Sequence, residues 1–139
     1  DYLDELFSKY RGLQGAKYYL QAMRDFFEFC DEHPELLRMQ SWICAEQRGR
    51  RTKTSEKVNT VLEDIERDRR EGIVREDMNP KHIMIFLYCL VEQWFIGKDL
   101  YALRLGMNLS EPEQREKYID AVVKLFESGI FTAGQVKPS

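Results

Sequence analysis

Side chains able to do chemistry are few and scattered in this sequence. His33 precedes a proline and His82 follows one by two residues. Both positions suit turns and helix starts better than proton transfer, which needs an acid or base partner in reach. Cys30 and His33 stand three apart and could share a metal, but no second Cys–His pair and no Glu-x-x-His completes a ligand set. Glu63, Asp64, Glu66 and Asp68 could pair as carboxylates. Arg67, Arg69 and Arg70 interleave them, so the pattern reads as a solvated helix face. The basic run at residues 48–53 carries no aromatic residue and is flanked by Glu46 and Glu56, which reads as a solvated loop rather than a nucleic-acid contact. There is no Gly-rich phosphate loop and no nucleophile elbow. No catalytic residue, no metal site and no cofactor is expected, and the chain is not read as an enzyme.

What remains is apolar chemistry. Tyr19, Met23, Phe26 and Cys30 lie along one helical stripe. Taken alone, such a stripe is ordinary core. Tyr19, Gln40, Trp42 and Gln93 add polar handles to apolar surroundings, a combination that suits an amphipathic organic molecule. No lone buried charge identifies a charged effector.

The elements positioning these residues all follow helical periodicity. Residues 1–10 place Leu3, Leu6, Phe7 and Tyr10 on one face without a cap, and are expected to be the tail of a helix beginning upstream. A second helix is expected over residues 15–32. A third runs from residue 34 to about 47, started by Pro34. A fourth, at 55–71, carries a stripe of Val58, Val61, Leu62 and Ile65, with Gly72 as its C-cap. Asn79-Pro80 opens the organising helix, which extends past Gly97 to about Leu105. From Ile83 to Ile96 only Glu92 and Gln93 are strongly polar, so this helix needs cover on all sides, from its own chain or from a second one. One of its arcs carries Phe86, Leu90 and Gln93, another Met84, Tyr88, Val91 and Phe95. The last helix starts at Ser110-Glu-Pro-Glu, a capping-box pattern. Its main stripe is Tyr118, Val122, Leu125 and Phe126. The fold class is all-α, a single domain of about six helices.

The aromatic content lets such a domain line a pocket as well as fill a core. The chain has 139 residues, 12% of them aromatic, and a net charge of −3, which disfavours holding nucleic acid through a basic surface. The three cysteines stand at unrelated spacings in apolar surroundings and read as buried thiols of a reducing compartment. No membrane segment or leader is visible, and a cytoplasmic location is expected.

Residues 26–37, Phe-Phe-Glu-Phe-Cys-Asp-Glu-His-Pro-Glu-Leu-Leu, resemble the helix of the tetracycline-repressor (TetR) family of bacterial transcription regulators that closes on a His-Pro-Glu-Leu turn. Residues 72–80, Gly-Ile-Val-Arg-Glu-Asp-Met-Asn-Pro, resemble the turn entering that family's penultimate helix. Residues 90–94, Leu-Val-Glu-Gln-Trp, resemble the body of that helix, and residues 118–130 resemble the last one. The resemblance covers the C-terminal domain in order. It implies an effector pocket among Tyr19, Met23, Phe26, Cys30, Met39, Gln40, Trp42, Phe86, Leu90 and Gln93. It also implies a homodimer through the last two helices, with Met84, Tyr88, Val91, Phe95, Tyr118, Val122, Leu125 and Phe126 at the interface. The partners expected are a second copy, a small hydrophobic or amphipathic effector, and DNA only through an N-terminal helix-turn-helix that this chain does not contain; no membrane partner is expected. The alternative is a stand-alone helical protein–protein interaction module.

Overall fold

The computed structural model describes residues 8–46 and 56–134, with residues 56–58 as backbone alone. Expectations that fall on residues 1–7, on the basic run at 48–53, on Gln47, on the Val58 side chain and on the C-terminal tail lie outside the described residues. Five helices follow one another: α1 (Ala16–Glu32), α2 (Pro34–Ala45), α3 (Glu56–Arg70), α4 (Pro80–Leu105) and α5 (Pro112–Gly129).

α1 turns its 3–4-spaced apolar residues inward, and Ala22, Met23, Phe26, Phe27 and Cys30 are buried. Each large side chain among them stabilises the fold by roughly 1.5–3 kcal/mol relative to exposure. The helix stops at His33 because Pro34 disfavours helical geometry in the residue before it, and the same Pro34 opens α2. α2 is held far less firmly, with Leu37 its one buried residue.

α4 starts as its sequence requires. The Asn79 side chain accepts the Lys81 N–H at 2.9 Å, and Pro80 fills the first position. The helix runs without a break to Gly106, whose left-handed φ of 64° closes it. α1, α2 and α3 all pack against α4, and α1 also packs on α5. The capping box expected at Ser110 does not form. Glu111 is the N-cap without a side-chain cap bond, and the Asn108 carboxamide instead donates to Glu111 and accepts from the Ser110 N–H.

One short antiparallel bridge, Val74 with Phe131, ties the segment between α3 and α4 to the segment after α5. Arg75 N–H donates to Ile130 O at 2.9 Å and Thr132 N–H to Ile73 O at 3.0 Å. Val74 and Phe131 are both buried, so the return of residues 73 and 74 to the core agrees with the sequence.

Candidate functional site

Five parts of the chain line a small cleft: residues 10–13, α1, α3, α4 and α5. Its walls are Tyr18, Tyr19 and Ala22 of α1, Val61 and Ile65 of α3, and Ile83, Met84 and Leu87 of α4, with Phe126 behind. Tyr10, Arg11 and Leu13 lie at its mouth. The cavity volume is about 70 Å³.

A polar network clamps this mouth. Asp68 is fully buried. Its carboxylate accepts the Tyr19 hydroxyl at 2.6 Å and Arg67 Nη2 at 3.1 Å. Arg67 also binds Asp64 at 2.9 Å and donates to the Leu13 carbonyl at 3.4 Å. Asp64 in turn accepts the Gly12 N–H at 3.1 Å. Tyr10 donates to Asp25, which also pairs with Lys9 at 2.8 Å. Residues 9–13 are thereby fastened to α1 and α3 by charge-assisted hydrogen bonds, the stronger kind. Burial first, and then the bond to Asp68, push the Tyr19 hydroxyl far above its ordinary range. Burial pushes the Asp25 carboxyl up, but the hydrogen bonds from Lys9, Tyr10 and Gln21 outweigh it and leave the group below its ordinary value. The sequence concealed Asp68 among charges as part of a solvated face. Its place on the Val61–Ile65 stripe, three residues after Ile65, was the signal that it points inward.

The second feature is the outer side of α4. Phe86, Cys89, Gln93, Ile96, Leu100 and Leu103 are all exposed and follow each other at alternating spacings of three and four. That is the spacing of a helix–helix seam. Leu103 is 83% exposed. On α5, Leu125 is 59% exposed, and Gln114, Tyr118, Ala121 and Ser128 continue its line with the same spacing. Tyr118 joins the two helices within the chain, stacking on Trp94 at 4.5 Å between centroids and donating to the Leu90 carbonyl.

This sequence matches over residues 19–124 the family described as tetracyclin repressor-like, C-terminal domain. The chain belongs to that family. No curated protein and no solved structure matches it. The TetR-like assignment agrees with the all-helical architecture and with a role in transcription regulation, since such C-terminal domains regulate rather than catalyse. Among the described residues, no group of three His, Cys, Asp or Glu could hold a metal ion. No helix among them is long and apolar enough to cross a membrane.

Of the ten pocket residues expected from the resemblance, Tyr19 alone lines the cleft. Met23, Phe26 and Cys30 are buried in the core beside it. Met39, Trp42, Phe86 and Gln93 are exposed, and Gln40 and Leu90 are partly buried elsewhere. Of the expected interface residues, Met84, Val91, Val122 and Phe126 are buried within the single chain, and Met84 and Phe126 help line the cleft. Tyr88, Phe95 and Tyr118 are half-buried, Tyr88 edge-on to Phe26 and Phe95 against Phe27. Leu125 alone of that set is exposed. Within the single chain, Met84 and Val91 of one α4 arc are buried, while Phe86 and Gln93 of the other are exposed. The physical reason is the composition of α4: a helix with almost no polar residue offers no mark of which side faces water. Among the thiols, Cys30 is buried, whereas Cys44 and Cys89 are exposed and not buried as expected.

Proposed function

We propose that this chain is the effector-binding and dimerising part of a transcription regulator, and that the cleft under residues 10–13 is its effector site. The observation that carries this reading is the clamp itself. An apolar cleft is covered by a segment leading toward the N-terminus, and that segment is held by the packing of Tyr10 on the core and by a few polar contacts. A site for an organic effector needs roughly 300–1,000 Å³, so the closed cleft corresponds to the effector-free form. A small hydrophobic or amphipathic molecule would enter by parting residues 9–13 from α3, which loosens the Arg67–Leu13 and Gly12–Asp64 contacts. Any DNA-binding part preceding this domain would be repositioned by that movement. The effector shifts the balance only through its greater affinity for the open form. Ala22→Trp should fill the cleft. In calorimetry, hydrophobic ligands that bind the wild type should then lose at least about tenfold in affinity, roughly 1.4 kcal/mol. Unchanged affinity in a folded variant would move the site elsewhere.

The same reading makes the domain a symmetric pair. The seam of Phe86, Cys89, Gln93, Ile96, Leu100 and Leu103, together with the α5 line through Leu125, would meet its own copy. An obligate pair buries on the order of 2,000 Å² or more. Leu100→Glu should convert the dimer to monomer in sedimentation without unfolding it. A wild-type chain that sediments as a monomer at micromolar concentration would sink the pairing.

The alternative, an interaction module for a different protein, is favoured by one observation. Met39, Trp42 and Ile43 leave a second apolar patch on α2, with Trp42 65% exposed. If Trp42→Ser abolished the domain's activity in cells while effector affinity and dimer state held, this alternative would gain.

A further inference from the structure

The mouth of the cleft holds a positive charge that the resting fold leaves without a partner. Each acid of the clamp already has its cation. Asp25 pairs with Lys9 at 2.8 Å, and Asp64 and Asp68 share Arg67 at 2.9 and 3.1 Å. Asp64, the one acid in the cleft lining, also accepts the Gly12 N–H. Arg11 lines the cleft beside it and is exposed. Among the described residues, no acid pairs with its guanidinium and no carbonyl accepts from it. Lys17 is likewise matched to no acid among them, and lies over the ring of Tyr18, a cleft residue, at 4.9 Å.

We propose, resting on the effector reading above, that the effector is an amphipathic organic anion, and that Arg11 receives its carboxylate at the mouth while its apolar part fills the cleft. The donors that opening sets free favour this chemistry. When residues 9–13 part from α3, the Gly12 N–H loses Asp64 and Arg67 Nη2 loses the Leu13 carbonyl. Asp64 keeps its other bond, to Arg67 Nη1. A carboxylate is acceptor-only, with two oxygens, so one group entering the gap can take the Gly12 N–H and the Arg11 fork together. Arginine binds carboxylates in this two-pronged way with charge-assisted hydrogen bonds. An ammonium in the same place would add donors where donors are already in excess, and a hydrocarbon would leave them to water. The walls below, Ala22, Val61, Ile65, Ile83, Met84 and Leu87, offer only apolar surface to the rest of the molecule. Because Arg11 and Gly12 belong to the segment that moves, the anion binds the open form more tightly than the closed one, which is the differential affinity that a shift requires.

The test uses the whole chain and an isosteric pair of probes, 4-phenylbutyrate and 4-phenylbutanamide, in calorimetry at about pH 7.5, where the carboxylate is ionised. The carboxylate should bind at least about fivefold more tightly than the amide. Arg11→Gln should abolish that preference and leave the amide's affinity unchanged, with the helical circular dichroism intact. Arg11→Lys should keep part of it. Ala22→Trp should weaken both probes together. Equal affinities in the wild type overturn the charge assignment and leave the effector reading standing. A preference that survives in Arg11→Gln also overturns it, by placing the carboxylate at another cation, Lys17 first. Probes that bind Ala22→Trp as well as they bind the wild type overturn both. If neither probe binds the wild type, the assignment falls, and the effector reading is then judged by the Ala22→Trp experiment with other hydrophobic ligands.

Discussion

Asp68 and Glu92 are both acids that helices carry out of water, and the fold treats them in opposite ways. Asp68 is met by Tyr19 and Arg67, and the end of α3 around it is pinned further by Ile73 and Val74, whose N–H groups donate to the Asp68 carbonyl at 2.9 and 3.2 Å. Glu92 meets no donor at Oε1 among the described residues. A satisfied buried charge fixes geometry, here the union of α1, α3 and residues 9–13. An unsatisfied one is a standing cost.

The comparison breaks most visibly at Asp68. Asp68→Ala should cost about 3 kcal/mol of unfolding free energy at neutral pH, because it strands the Tyr19 hydroxyl and removes one partner of Arg67. Urea denaturation measures this, and a loss near zero would mean that the clamp is ornamental. Tyr19→Phe removes only one charge-assisted bond and should cost about 2 kcal/mol, leaving the Arg67 contacts in place.

Glu92→Gln should act in the other direction, stabilising the apo domain by about 1 kcal/mol at pH 8. The sign follows from burial, which raises the Glu92 carboxyl. Above the unfolded value of 4.5, the folded state holds its proton more tightly than the unfolded chain, so wild-type stability falls as pH rises through the folded value. The gain from Gln should therefore shrink to nothing as pH drops below that unfolded value. A pH-independent difference, or a destabilisation, would mean that Glu92 has a partner in solution.

Where polar residues mark the outside, the sequence was a good guide. The stripe through Met23, Phe26 and Cys30 is buried as its spacing demands, because Arg24, Asp25, Glu28 and Asp31 alternate with it. Both ends of α4 were legible, from Asn79-Pro80 and from the apolar run that ends near Leu105. The inward arc of α4 was not, because Phe86 and Met84 are equally apolar and only the packing of α1 and α3 chooses between them. Asp68 was misread for a related reason. Charge is read as exposure by default, and a tertiary partner such as Tyr19, far off in sequence, cannot be seen in a local window. The candidate site was legible only at Tyr19, since the cleft depends on how residues 10–13 lie over α3.

The pairing of residues 73–75 with 130–132 bears on the order in which the chain folds. Helices nucleate from near neighbours within microseconds, but this bridge joins strand-like segments on either side of α4 and α5. Closing so long a loop loses entropy that only the finished bundle returns, and each doubling of loop length adds about 0.6 kcal/mol. The bridge should therefore form after the folding barrier, not on the way up it. Val74→Ala would then speed unfolding while leaving the folding rate nearly untouched. The two short segments act as a latch on the lifetime of the folded domain, not as a seed for making it.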